Sequence, residues 1–199
     1  MSDNNGKFGK AYYQKYYLNE KTRVSDQAAI NKLAAFASAY FRYLDIEIFQ
    51  VLDMGCGVGH WQKATRKHFP SARYKGVEFS EYLCRKYGWT QGSVVDYQDS
   101  RSYDFVVCQG VLQYLDNKQC KLALENLAAL TKSVLYLQAL TITDWEENAD
   151  QNVTDGEVFL RSSKWYRRCL SEFFISIGGG LFVKKDMDLV LYDMEKLCL

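Results

Sequence analysis

One proline, two histidines and a net charge of +1 already leave several function classes without support in this 199-residue chain. Pro70 by itself makes no proline-rich linker. His60 and His68 are the only imidazoles, and the six cysteines, at 56, 84, 108, 120, 169 and 198, contain no CxxC pair. No metal site is expected, and the thiols read as free and buried in a reducing compartment. The small net charge gives no basic footprint for nucleic acid. No apolar run reaches the roughly 18 residues of a membrane span. The opening MSDNNGKFGK is polar, unlike a secretory signal. A cytoplasmic protein with no membrane partner is therefore expected. There is no internal repeat and no low-complexity tract.

What is there is ordinary globular material. Apolar residues make up 48% and charged residues 25%, which suits one domain with a full core over 1–199. Residues 1–45 read as an N-terminal lid and helical segment, and 46–199 as the core. Ser25 or Asp26 can cap a helix, and Ala29, Ile30, Leu33, Phe36, Ala37, Tyr40 and Leu44 then recur at helical spacing. That predicts a helix over about 26–43.

Beyond it, strands and helices alternate. Strands are predicted at 48–54, 73–79, 90–95 (weak), 103–108 and 133–138, and helices at 61–68, 81–86 and 118–130. This alternation argues for a doubly wound α/β fold, a mostly parallel seven-stranded sheet with helices on both faces. In the tail, 163–173 looks helical and Gly178-Gly179-Gly180 breaks it. LFVKK (181–185) and DLVLYD (188–193) lie too close for a parallel crossover. They are expected to form a C-terminal antiparallel hairpin.

The sharpest local signal is Val51-Leu52-Asp53-Met54-Gly55-Cys56-Gly57-Val58-Gly59-His60-Trp61. A strand runs into three glycines and then a helix start. Glycine lets backbone approach a ligand closely, and the helix start offers free amides. A dinucleotide fingerprint GxGxxG would need glycine at position 60, where His60 stands. The pattern is DxGxGxG. An acid at 53 opposes a pyrophosphate but favours a cationic amino group. A nicotinamide dehydrogenase is thus a third-ranked alternative.

Residues 49–141 resemble the core of the class I (Rossmann-like) S-adenosylmethionine-dependent methyltransferases, with Val51–Gly59 similar to their first motif. The resemblance implies S-adenosylmethionine as cofactor and S-adenosylhomocysteine as product. Asp53, Gly55, Cys56, Gly57 and Gly59 would form the loop. Glu78, nineteen residues past Gly59, would accept both ribose hydroxyls. Phe79 would pack on the adenine. Asp96 would meet the adenine amino group, with Tyr97 or Val95 beside it. Gln109 would sit by the methionine part, followed by Gly110. Relatives often read Leu-Glu-His-Leu where this chain has Leu112-Gln113-Tyr114-Leu115. Tyr114 therefore removes any histidine-based acid–base role there.

Methyl transfer from a sulfonium is an in-line displacement that mainly requires alignment. No catalytic triad is needed, and none is visible. Tyr12, Tyr13, Tyr16 and Tyr17 in the segment YYQKYY can wall the sulfonium and the acceptor, or simply pack the first helix on the sheet. Arg23 can fork onto the cofactor carboxylate. Trp145 and Asp144 can face an acceptor after the fifth strand. His60, directly after the loop, can touch the cofactor or acceptor, but reads first as a surface residue of a helix start. A small-molecule acceptor is expected first, and a protein or RNA acceptor second. A non-catalytic module that merely holds the cofactor is the rival of another class.

Overall fold

In the computed structural model, which describes residues 7–18 and 26–196, seven strands hydrogen-bond into one sheet. They are β1 (Gln50–Met54), β2 (Arg73–Glu78), β3 (Thr90–Gln91), β4 (Tyr103–Gln109), β5 (Thr131–Gln138), β6 (Phe174–Ser176) and β7 (Leu181–Lys184). Their spatial order is β3-β2-β1-β4-β5-β7-β6. The first five pair in parallel, and β7 runs antiparallel between β5 and β6.

The central strands bury both faces. In β4, Phe105 and Val107 point into one core while Val106 and Cys108 point into the other. The first core is completed by Ile30, Ala34, Ala37 and Phe41 of α2 (Gln27–Tyr43) and by Trp61 and Ala64 of α3 (His60–His68). The second takes Cys120, Leu124 and Leu127 of α5 (Asn117–Leu130) and Tyr166 and Leu170 of α6 (Ser163–Leu170). Short helices α1 (Lys10–Tyr13) and α4 (Glu81–Tyr87) complete the set. Asp26 caps α2 as its sequence position predicts, its carboxylate accepting from Ala29 N at 2.7 Å.

A buried carboxylate ties β4 to the chain entering β1. Asp104 Oδ2 accepts from the amides of Phe49 and Gln50, each at 2.9 Å, and Lys132 Nζ donates to Oδ1 at 3.0 Å.

Two expected elements differ. The third strand shrinks from 90–95 to Thr90–Gln91: its ladder to β2 ends with Gly92 N donating to Glu78 O at 3.0 Å, and Ser93–Tyr97 then close a turn. The terminal hairpin is built from β6 and β7, not from 181–185 and 188–193. Gly178, Gly179 and Gly180 all take positive φ (86°, 59° and 77°), a conformation that side chains resist, and they close the tight turn between the strands. The two edges of β7 are then filled by β6 and β5. No edge of β7 is left for 188–193, and Leu189 and Leu191 pack on the α2 side instead. The helix expected over 163–173 stops at Leu170 so that β6 can begin.

Candidate functional site

The strand order reverses between β1 and β4. Open α/β sheets bind ligands at the carboxyl ends flanking such a switch point. Here a cavity of about 840 Å³ opens there. Its floor is the glycine loop between β1 and α3. Gly55, Gly57 and Gly59 take φ of 82°, 53° and 82°. A Cβ on Gly55 would overlap the Val111 side chain, so the loop and the β4 exit touch through a missing side chain. A Cβ on Gly57 would meet only Gly55 O, at 3.9 Å, and would project into open space. The Trp89 indole braces the loop by donating to Gly57 O at 2.9 Å. Its ring lies where a Cβ on Gly59 or Gly76 would stand, 2.9 Å away in each case.

Two carboxylates face this floor. Asp53, at the end of β1, is 2% exposed and accepts from the Tyr74 hydroxyl at 2.6 Å. Burial pushes its carboxyl up to about 7, against the Tyr74 hydrogen bond and with the Glu78 charge adding to the rise. Glu78 ends β2. Its Oε2 accepts from Gly57 N at 2.8 Å, and its Oε1 from Ser80 N at 2.9 Å and the Tyr13 hydroxyl at 3.3 Å. Burial raises the Glu78 carboxyl, and the bonds from Ser80, Gly57 and Tyr13 pull it back. At the β4 exit, Trp61 Nε1 donates to Gln109 Oε1 at 2.8 Å, and Gly110 turns with φ 69°.

The roof is the segment 7–18. It is pinned at several points. Ser80 Oγ donates to Phe8 O at 2.6 Å. The Tyr12 and Tyr114 hydroxyls pair at 2.6 Å. Lys7 Nζ lies 3.2 Å from Asp155 and 3.1 Å from Glu157. Phe8 meets Tyr12 and Tyr114 edge-on, with centroids 5.0 and 5.1 Å apart. Burial pushes the Tyr114 phenol up to about 12 and raises Tyr12, Tyr13 and Tyr17 further, so these rings stay neutral at ordinary pH.

Asp53, Gly55, Cys56, Gly57, Glu78, Phe79, Asp96, Gln109, Tyr114 and the four tyrosines at 12, 13, 16 and 17 all line this one cavity. Four other candidates do not, among them Asp144, whose carboxylate accepts from Thr141 Oγ1 at 2.7 Å. Gly59 lies behind the loop against Trp89. Tyr97 turns away to give its hydroxyl to Asp99 at 3.1 Å, leaving Val94 and Val95 on the wall. Trp145 packs over Gly156. Arg23 falls outside the described residues. His60, expected at the surface, lines the cavity, with Nδ1 3.1 Å from Gln27 Oε1. Trp89, Phe8 and Asp155 carry no sequence pattern that marks them, and Trp61 and Gln113, although inside the glycine-loop and fourth-strand motifs, are placed in the site by tertiary contact. Among the described residues no group of three or more metal-ligating side chains occurs, and no helix is long and apolar enough to cross a membrane.

With this geometry in hand, a family profile described as "Methyltransferase domain" matches residues 52–133. No curated protein matches the chain in sequence. Several solved structures share the fold. Streptomyces venezuelae DesVI is 18% identical with a TM-score of 0.62, over 87% of this chain and 97% of that one. The plantazolicin methyltransferase BpumL, in complex with a pentazolic desmethylPZN analog and SAH, is 17% identical with a TM-score of 0.61, over 80% of this chain and 68% of that one. The magnesium protoporphyrin IX methyltransferase of Synechocystis PCC 6803, with bound SAH, is 17% identical with a TM-score of 0.61, over 85% of this chain and 88% of that one.

Proposed function

We infer that this chain, a class I S-adenosylmethionine-dependent methyltransferase by its domain profile and its fold, transfers the methyl group to a small-molecule acceptor. The observation that carries the acceptor's size is the roof. Segment 7–18 closes over the carboxyl ends of β1 and β4, and the cavity of about 840 Å³ has room for the cofactor and a small partner together. Methyltransferases of this fold named for plantazolicin and magnesium protoporphyrin IX are in keeping with that scale.

The residues present fit S-adenosylmethionine. Gly57, with open space where its Cβ would stand, lets the ligand lie against the backbone. Asp53 would hold the cationic amino group. Glu78 would accept ribose hydroxyls, although Gly57, Ser80 and Tyr13 already occupy part of its acceptor capacity. Phe79 and Asp96 would flank the adenine with Val94 and Val95, and Gln109, oriented by Trp61, would sit by the methionine part. The cofactor brings an activated methyl on sulfur. The protein's share is to align the acceptor, exclude water with the tyrosine roof, and hold charges still. A base is needed only where the attacked atom must lose a proton, and the raised tyrosines are poor ones. The reading places the enzyme in the cytoplasm, where the free cysteines Cys56, Cys84, Cys108, Cys120 and Cys169 would stay reduced.

Incubation with methyl-labelled cofactor and a cell extract split into small molecules, protein and RNA tests this. Label in the small-molecule fraction is the expected result. Label in protein or RNA would overturn the acceptor class, and tight S-adenosylhomocysteine binding with no transfer to any fraction would favour a binding module.

A further inference from the structure

In the part of the cavity away from the glycine loop, the charged and polar side chains largely answer one another. The Tyr12 and Tyr114 hydroxyls pair at 2.6 Å. Asp155 is 8% exposed; its Oδ1 accepts from Glu157 N at 3.0 Å, and its Oδ2 faces Lys7 Nζ at 3.2 Å. Lys7 also reaches Glu157 Oε2 and Glu157 O, each at 3.1 Å, so its ammonium brings no unanswered charge to the wall. Of the five acids that line the cavity, Asp53, Glu78 and Asp96 are those proposed for the cofactor. The fifth, Asp150, stands at the exposed rim beside Gln119 and Asn148, in contact with solvent.

What remains to meet an acceptor is mostly apolar surface. Phe8 stands 5.0 Å from Tyr12 and 5.1 Å from Tyr114 between ring centroids, and Tyr12 stands 4.9 Å from Tyr16, so these rings form one continuous cluster on the wall. Leu115, Leu140 and Val153 add aliphatic surface. A charged acceptor would give up its hydration here and find no free counter-charge. A flat ring gains area burial and, beyond it, the offset and edge-to-face contacts that a saturated ring cannot make. One hydroxyl is left over. Tyr17 is half-buried and lines the cavity, its ring 5.4 Å from Tyr13 and 6.2 Å from Tyr12, and its hydroxyl makes no hydrogen bond among the described residues. Unlike Gln113 Oε1, which is shut away from solvent, it is accessible. Burial and the Tyr114 and Glu78 oxygens hold it protonated, so it can both donate and accept.

We propose that the acceptor is an uncharged aromatic molecule, its ring seated among Phe8, Tyr12 and Tyr114 and a polar substituent hydrogen-bonded to the Tyr17 hydroxyl. This rests on the methyltransferase reading of the same cavity. Tyr17 acts in it as a positioning group, and the attacked atom is left open.

The test uses the full chain saturated with S-adenosylhomocysteine and titrated with probes on one skeleton: 2-naphthol, the saturated decahydro-2-naphthol, 2-naphthoate, 2-naphthylmethylammonium and naphthalene. 2-Naphthol is expected to bind about tenfold or more tightly than either ion. It should bind about threefold or more tightly than the saturated alcohol. Tyr17→Phe is expected to weaken 2-naphthol by about fivefold, and to leave naphthalene and S-adenosylhomocysteine within about twofold. Either ion or the saturated alcohol binding as tightly as 2-naphthol overturns the proposal, and so does no binding of 2-naphthol. An unchanged 2-naphthol affinity in Tyr17→Phe overturns it as well. So does an equal loss for naphthalene, which marks the hydroxyl as structural, or a loss for S-adenosylhomocysteine, which gives it to the cofactor. Should Tyr17→Phe fail to fold, the wild-type preference for 2-naphthol over naphthalene, expected at about fivefold, reads the same hydroxyl, and equal binding overturns the proposal. Failure of the wild-type chain to bind S-adenosylhomocysteine would strike the cofactor reading instead, which keeps the two failures apart.

Discussion

The two halves of the cavity are made differently. The floor is backbone: three glycines, the amides around them and two carboxylates at adjacent strand ends, all within 53–78. The roof and far wall are side chains from segments remote in sequence, such as Tyr12 against Tyr114 and Lys7 against Asp155. A floor of main chain suits a constant ligand, since backbone geometry changes little with sequence. A wall of side chains suits a ligand that differs between proteins. On this reading the floor serves the cofactor and the wall serves the acceptor.

Substitutions should separate the halves. The largest effect is expected from Gly57→Val. A branched side chain there would enter the open space and would have to hold φ near 53°, at a strain cost of roughly 1–2 kcal/mol. Calorimetry should show S-adenosylhomocysteine binding weakened at least about a hundredfold while circular dichroism still reports a folded protein; retained affinity would mean that the floor is misassigned. Glu78→Gln comes next. It weakens charged hydrogen bonds worth roughly 1.5–3 kcal/mol, so affinity should fall about ten- to a hundredfold.

The pH dependence of binding is a subtler check. The Asp53 carboxyl is raised to about 7 by burial, so below that pH it is largely neutral in the free protein and attracts no amino cation. Affinity should be full above about 7 and decline as pH falls through it, at up to about tenfold per pH unit. Titrations between pH 5.5 and 8.5 would show the slope, and Asp53→Asn should flatten it. Glu78 and Tyr74 also face this carboxyl, so a slope that survives Asp53→Asn would transfer the effect to Glu78. The smallest change belongs to the wall. Tyr12→Phe removes the 2.6 Å hydroxyl pair, worth roughly 0.5–1.5 kcal/mol, and should raise the acceptor KM a few-fold with cofactor affinity unchanged. Loss of cofactor affinity in that variant would erase the distinction between the halves.

The same division explains what the sequence disclosed. The parallel strands and the helices on both faces follow from apolar runs and caps that act locally, as in Tyr103–Gln109 and Asp26. The glycine loop is legible because its conformation demands a residue type at each step. The expected hairpin differs from the observed one because Leu189 and Leu191 alternate like a strand. What decides their place is that both edges of Leu181–Lys184 are taken by other strands, which no local pattern records. Gln113 and Asp155 show no local sign of a role for a related reason. An ordinary glutamine becomes notable only when the fold buries it without a partner, and Asp155 matters only because Lys7 lies against it.

The braces around the floor have a practical consequence. Trp89 donates its indole N–H to Gly57 O, and Trp61 donates to Gln109, so two of the four tryptophans are bonded to opposite sides of one groove. Indole emission is sensitive to such bonds and to nearby charge. Filling the groove should therefore shift the protein's own fluorescence, giving an unlabelled optical signal that stopped-flow mixing can follow in real time.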